Sequence, residues 1–330
     1  MGEIRYLLSK YFEILEENRT AKYLHGKHIT VTFINSETSD DLWKIHDEAI
    51  ENFKIKDIKP KQSLFDLKLK ISDRIFKKCC FCERRCEIDR TKKTGNCGVL
   101  KPAISSEFLH IGEERVLVPS HTIFFSGCSF HCVFCQNWDI SQTNAGLYIK
   151  PERLSEIIQQ RKLQGAKNVN WVGGDPTPNL HYILKVLKLL NENIPQVWNS
   201  NMYCSIETMK LLIGVIDLYL TDFKYGNDNC AKRLSKVDNY LKLVKRNHKI
   251  AYENGEMIIR HLVMPNHVEC CSKPIIEWIA KNCPNAIVNI MAQYRPEYKA
   301  YDFEDISKSL KMEEFIVVKE FAEKLKIYQI

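Results

Sequence analysis

Apolar positions along this chain follow two regimes. From Glu3 to Glu17 they recur at helical spacing, with Ile4, Leu7, Leu8, Tyr11, Phe12 and Leu15 on one face. Thr38-Ser-Asp-Asp41 and Ser63-Leu-Phe-Asp66 then place a hydroxyl three residues before an acid, the reciprocal cap that opens a helix. With one strand near His28 to Phe33, residues 1–75 are expected to form a helical extension. From His121 onward, β-rich runs near 121–127, 168–174, 195–201, 215–224, 256–265 and 286–294 alternate with helical periods at about 151–163, 179–192, 205–213, 229–247 and 272–282. Such alternation predicts parallel β/α units, and six strands make an incomplete (β/α)6 barrel of the TIM type rather than a closed eight-stranded one. The fold class is α/β, with a Cys-rich segment at 76–120, the barrel at 121–296 and a helical C-terminal extension at 297–330.

The unusual residues follow the ends of these strands. Gly127-Cys128 follows the first, Gly173-Gly174-Asp175-Pro176 the second, Asn199-Ser200-Asn201 the third, Asp222-Phe223-Lys224 the fourth, Pro265-Asn266-His267 the fifth and Gln293-Tyr294-Arg295-Pro296 the sixth. In a β/α barrel these C-terminal ends share one face, where such folds place their active sites.

Composition narrows the classes. The 330 residues are 45% hydrophobic and 27% charged, a globular balance. No apolar run nears the roughly 18 residues of a membrane span, and the acidic, amphipathic start is unlike a signal peptide, so a cytoplasmic location without membrane contact is expected. Of 13 cysteines, eight lie between Cys79 and Cys135; without a secretory signal, metal ligation explains them better than disulfides. The net charge of +7 gathers partly around the first cysteines (Lys77, Lys78, Arg84, Arg85, Arg90, Lys92, Lys93). That placement reads as compensation of an anionic thiolate centre rather than a nucleic-acid footprint.

Two cysteine groups have ligand spacing. Cys128-x3-Cys132-x2-Cys135 brings three thiolates to three corners of a cubane and leaves the fourth iron without a protein ligand; a zinc site borrowing His131 is the alternative. Cys79-x2-Cys82-x3-Cys86-x10-Cys97 offers four thiolates for a closed second metal centre, zinc or iron–sulfur, with Cys80 able to replace Cys79. Such a centre would staple the extension to the barrel or relay an electron. Cys204, Cys230, Cys270, Cys271 and Cys283 lack ligand spacing and read as ordinary small side chains. Gly173 and Gly174 would let a ligand approach the backbone, with Asp175 to pair with an ammonium. Asp222 and Lys224 share one strand face, Asn199 and Asn201 end another strand, and either Arg260 or His261 should face the interior.

Thr122-Ile-Phe-Phe-Ser-Gly-Cys128, Cys132-Val-Phe-Cys135-Gln-Asn137, Trp198-Asn-Ser-Asn-Met-Tyr203, Tyr219-Leu-Thr-Asp-Phe-Lys-Tyr225, Ile259-Arg-His-Leu-Val-Met-Pro-Asn266 and Gln293-Tyr-Arg-Pro296 resemble the radical S-adenosylmethionine (SAM) superfamily. Within it they resemble the branch of iron–sulfur proteins related to pyruvate formate-lyase-activating enzyme. Cys82 to Cys86 and Gly95 to Gly98 also fit that branch, although Glu83 stands where proline is usual. The resemblance implies a [4Fe–4S] cluster on Cys128, Cys132 and Cys135 whose open iron is chelated by SAM. It implies SAM contacts from Phe134, Asn137, Gly173, Gly174, Asp175, Asn199, Asn201, Asp222, Lys224 and Arg260. It also implies reductive cleavage of SAM to a 5′-deoxyadenosyl radical and an electron donor of the flavodoxin or ferredoxin type. A glycyl-radical protein is the first substrate class, and RNA or a small molecule the second, with nucleic acid the less favoured for want of an RNA-binding motif. A non-catalytic iron–sulfur or zinc scaffold is the alternative from another class.

Overall fold

The computed structural model describes residues 2–52, 60–143 and 145–330. The first apolar face forms two short helices, α1 (Gly2–Leu7) and α2 (Ser9–Leu15), followed by α3 (Lys22–Gly26), α4 (Ser39–Glu51) and α5 (Leu64–Lys77). Both caps read from the sequence are made: Asp41 N–H donates to Thr38 Oγ1 and Asp66 N–H to Ser63 Oγ, each at 3.2 Å, while the two acids accept from the cap backbone. The strand expected near His28 to Phe33 shrinks to one bridge, Thr30 with Ser63, because the partner chain turns into α5 at Leu64.

Eight strands follow. β1 (Ile104–His110) pairs antiparallel with β2 (Ser120–Phe125). After α6 (Trp138–Ser141) and α7 (Pro151–Leu163), the chain alternates β3 (Val169–Gly173), α8 (Leu180–Leu189), β4 (Gln196–Ser200), α9 (Ile206–Leu212) and β5 (Leu218–Asp222). Then come α10 (Asp228–Ser235), α11 (Tyr240–Asn254), β6 (Glu256–Leu262), α12 (Lys273–Asn282), β7 (Ile287–Met291), α13 (Met312–Lys324) and β8 (Tyr328–Gln329). The sheet order runs β1 to β8, parallel from β2 onward and not closed. The six expected strands are β2 to β7; β1 and β8 extend both edges. The helix expected over 229–247 is two, because Lys236 and Asn239 take left-handed backbone (φ 57° and 53°).

Period-two alternation sorts each strand into an outer and an inner face. Outward residues such as Trp171, Trp198, Tyr219, Ile259 and Val288 join the main core beneath the helices. Inward, Val197, Leu218, Leu220, Ile258 and Ile287 meet Leu8, Tyr11 and Leu117, so α1, α2 and the β1–β2 loop fill the barrel base. Farther along the same inward faces come Asn199, Arg260 and Asn289, then Asp222, Leu262 and Met291, which line a cavity.

The extension also grips the barrel through charge. Lys22 Nζ donates to the carbonyls of Ile216 and Asn254, Lys27 Nζ to that of Leu190, and Lys68 Nζ to those of Lys210 and Leu211. Asn254, Leu190 and Leu211 lie at the C-terminal ends of α11, α8 and α9, where carbonyls are unpaired and a cation is favoured. In return, Glu256 accepts from Lys10 and Tyr11 N–H at the start of α2, and Asp217 from Lys22 N–H at the start of α3. Two of these lysines, Lys27 and Lys68, are buried. No helix among the described residues is long and apolar enough to cross a membrane.

Candidate active site

The cysteine trio lies on the loop after β2. Gly127 starts it at φ 83°, and a Cβ there would meet Val99 Cγ2 at 2.3 Å and Cys97 O at 2.6 Å, so glycine is required and the two cysteine segments pack through it. Cys128, Cys132 and Cys135 all open on a cavity of about 540 Å³ at the C-terminal ends of the strands. Each sulfur has a polar partner. Cys128 accepts from Phe130 N–H (3.3 Å) and Asn201 Nδ2 (3.6 Å), Cys132 meets Ser235 Oγ (2.9 Å), and Cys135 meets Ser141 Oγ (3.2 Å). Burial pushes the Cys132 thiol up to about 12, with the neighbouring Cys135 adding to the shift, so its sulfur becomes a ligand by exchanging a proton for a metal. His131 does not complete the trio: its Nδ1 meets Gln142 Oε1 at 2.7 Å and its Nε2 meets Asn96 Oδ1 at 2.8 Å. Three thiols without a protein fourth ligand fit an open-iron cluster.

Most of the sequence-read residues share this cavity: Phe134, Asn137, Gly173, Gly174, Asn199, Asn201, Asp222, Lys224 and Arg260. Lys224 Nζ donates to Asp222 Oδ2 at 2.7 Å. Burial alone would lower the Lys224 pKa, but Asp222 and the Cys132 and Cys135 sulfurs outweigh it and raise it, which keeps a cation beside the trio. The two glycines serve the backbone first, since a Cβ on Gly173 would meet Phe125 N at 2.1 Å and one on Gly174 would meet Gly127 O at 2.2 Å.

Three expectations need correction, and one open choice is decided. Asp175 does not line the cavity; it is buried behind it, accepts from Ser200 Oγ at 2.9 Å, and burial raises its carboxyl to about 6. Pro265-Asn266-His267 turns to the rim, where Asn266 N–H donates to Glu314 Oε1 at 2.6 Å, so β6 serves the cavity through Arg260 and Leu262 rather than through the residues that follow it. Of the pair in β6, Arg260 faces inward, while His261 is buried outward between Phe223 O and Ser272 Oγ, each at 2.8 Å. Cys230, Cys270 and Cys271 are not scattered small side chains, since they meet around His267.

Sequence reasoning missed the acidic floor. Arg260 Nε donates to Glu114 Oε1 at 2.7 Å, its Nη2 reaches Glu114 Oε2 and Glu113, and Asn289 Nδ2 donates to Glu114 at 2.8 Å. Burial would raise the Glu114 pKa, but Arg260 reverses the sign and lowers it. The available signal was polar residues at inward parity in apolar strands, Asn170 in VNWVG and Asn289 in IVNIM.

Cys79, Cys82, Cys86 and Cys97 line one small enclosed cavity, and Cys80 is outside it. Arg90 enters that cavity almost fully buried, with Nη1 at 3.7 Å from Cys79 Sγ. Its Nη2 donates to Pro178 O at 3.4 Å, its Nε is unpartnered, and among the described residues no carboxylate is seen paired with it.

Comparison with known proteins agrees with this geometry. The family described as the Radical SAM superfamily matches residues 122–279. "Uncharacterized protein MJ0674" of Methanocaldococcus jannaschii is 49% identical over 330 residues, covering 96% of this chain and 97% of its own. Pyruvate formate-lyase 1-activating enzyme of Escherichia coli (strain K12) is 26% identical over 148 residues, 43% of this chain and 60% of its own. Among solved structures, methylornithine synthase (PylB) is similar at a TM-score of 0.46 and 16% identity, over 86% of this chain and 77% of that one, too distant to carry functional weight. With a relative half identical along nearly its whole length and the family match running from β2 to α12, this chain belongs to the radical SAM superfamily of enzymes, whose chemistry uses a [4Fe–4S] cluster and SAM.

Proposed function

We propose that Cys128, Cys132 and Cys135 hold the [4Fe–4S] cluster at the barrel mouth, that SAM binds beside it, and that the chain abstracts hydrogen from a partner protein. The observation that carries this reading is the convergence of three cysteines, without a fourth protein ligand, on a cavity that also receives Asn199, Asn201, Asp222 and Lys224 from neighbouring strand ends. When bound, the pair supplies one-electron cleavage of the sulfonium to a 5′-deoxyadenosyl radical. The protein binds, orients and excludes water. Lys224, held by Asp222, gives a fixed cation for a carboxylate, and Asn199 and Asn201 supply amide groups. Phe124, Phe130 and Phe134 keep water from the cysteine loop. Kinship with the activating enzyme favours a protein glycine as hydrogen donor. At the rim, half-exposed Trp138 stacks on Tyr298 at 5.4 Å, a ledge that suits a peptide.

A second centre on Cys79, Cys82, Cys86 and Cys97 belongs to the proposal. A buried guanidinium without a carboxylate is costly, and an anionic metal–thiolate centre would balance Arg90. Packing of Cys97 against Gly127 gives an electron from a flavodoxin or ferredoxin a short path to the trio.

Anaerobic reconstitution, reduction and assay for 5′-deoxyadenosine test the reading. Wild type is expected to form deoxyadenosine from SAM and Cys132→Ala to form none; a variant that still cleaves SAM overturns it. About eight irons per chain, against about four, report whether the upstream centre is also a cubane.

A further inference from the structure

We infer that Cys230, His267, Cys270 and Cys271 form a closed zinc site on the rim of the barrel, separate from both other cysteine groups. Their ligand atoms all lie within 4.8 Å of one another, and among the described residues no other group of three or more His, Cys, Asp or Glu side chains is so compact. A tetrahedral zinc with bonds of about 2.3 Å to sulfur and 2.0–2.1 Å to nitrogen requires S···S edges of about 3.8 Å and N···S edges of about 3.6 Å. Cys270 Sγ lies 3.8 Å from Cys271 Sγ. His267 Nδ1 lies 3.6 Å from Cys230 Sγ, 3.3 Å from Cys270 Sγ and 3.7 Å from Cys271 Sγ. Those are four of the six edges of one metal tetrahedron, and the other two, from Cys230 Sγ to the remaining sulfurs, lie within 4.8 Å.

The surroundings support the same assignment. His267 Nε2 meets Asp305 Oδ2 at 2.9 Å, and Asp305 is held in turn by Arg233 Nη1 at 2.9 Å. A carboxylate can only accept, so Nε2 carries the proton and Nδ1 presents its lone pair to the three sulfurs, the arrangement that orients a metal-bound histidine. Asn227 Nδ2 donates to Cys270 O at 2.9 Å and approaches Cys271 Sγ at 3.8 Å.

Local backbone explains how adjacent cysteines reach one ion. Val268–Ser272 is a single wide π-helical turn, in which Cys271 and Ser272 N–H both donate to His267 O, at 3.0 and 3.1 Å. The opposing chain comes close enough to require Gly226, where a Cβ would meet Cys270 O, Cys271 Cα and Cys271 O, each at 2.7 Å. The site ties the first turn of α10 to the turn before α12. The last turn of α10 carries Ser235, which meets Cys132 Sγ at 2.9 Å, and Leu234, whose carbonyl accepts from Val133 N–H at 2.9 Å. The zinc therefore anchors the helix that backs the trio loop. Four protein ligands leave no open position, so its role is structural.

The test counts zinc and iron in chain produced with both metals supplied. The site accounts for one zinc per chain in wild type, lost in Cys270→Ser/Cys271→Ser and kept in Cys283→Ser; in Cys79→Ser/Cys82→Ser, which removes any zinc held by the upstream cysteines, one zinc per chain should remain. Zinc unchanged by the first double substitution, or iron in its place, overturns the site. A measurement on wild type guards against misfolding of the variant: native alkylation followed by peptide mapping. Cys230, Cys270 and Cys271 should resist until a zinc chelator is added and then label together; immediate labelling of the exposed Cys270 before chelation overturns the site. Neither readout requires SAM cleavage, so this result and that of the radical assay are independent.

Discussion

The two ends of this barrel are built from the same strands by opposite means. At the base, inward side chains are aliphatic and meet Leu8 and Tyr11, while lysines of the extension satisfy carbonyls at helix ends. At the mouth, the next inward positions are Asn199, Asp222, Arg260 and Asn289, and the packing opens into a cavity. The base buries apolar area and completes hydrogen bonds, which stabilises the fold. The mouth holds charges and thiols away from water, a local cost accepted where ligands bind. Substitutions at the mouth should therefore change chemistry, and those at the base should change stability.

The largest effect expected is at the mouth. Cys135→Ser should reduce deoxyadenosine formation to background, while the thermal midpoint of the metal-free chain shifts by no more than about 2 °C. A large fall in that midpoint would break the division.

Lys68 tests the base. It is fully buried, bonds two carbonyls of α9 and His46, and burial lowers its pKa to about 7. Lys68→Ala should lose about 3 kcal/mol in denaturant unfolding, through the cavity and the unpaired carbonyls, with SAM cleavage by the folded fraction unchanged. Between pH 7 and about 10 the unfolded chain binds the extra proton, so wild-type stability should rise with pH; Lys68→Met should abolish that slope.

Asp175, buried behind the mouth, sharpens the contrast with a pH slope of the opposite sign. Its folded pKa of about 6 lies above the ordinary 3.8, so the folded chain holds the proton longer and this group's contribution falls as pH rises from about 4 to 6. Asp175→Asn should gain on wild type by roughly 2 kcal/mol between pH 4 and pH 7, measured as the difference of two urea titrations. The smallest change is expected from Lys224→Met, which should weaken SAM binding by about tenfold, or about 1.4 kcal/mol, in equilibrium titration.

Local pattern made much of this molecule legible. The caps at Thr38 and Ser63, the six parallel strands and the open trio follow from neighbour-to-neighbour chemistry: a hydroxyl three residues before an acid, an alternation of period two, cysteines a few residues apart. Tertiary structure decided what distant segments do to one another. It turned Asp175 away from the cavity, chose Arg260 over His261 for the interior, and inserted Glu113 and Glu114 from a loop beside a strand that the pattern did not announce. It also gathered Cys230 with residues 37 and more positions away, through a widened helical turn and a glycine contact that no spacing rule encodes. Periodicity and short spacings are properties of the backbone and survive in the sequence alone. Which side chains meet across a barrel depends on register, twist and loop insertion, and those arise only when the whole sheet is assembled.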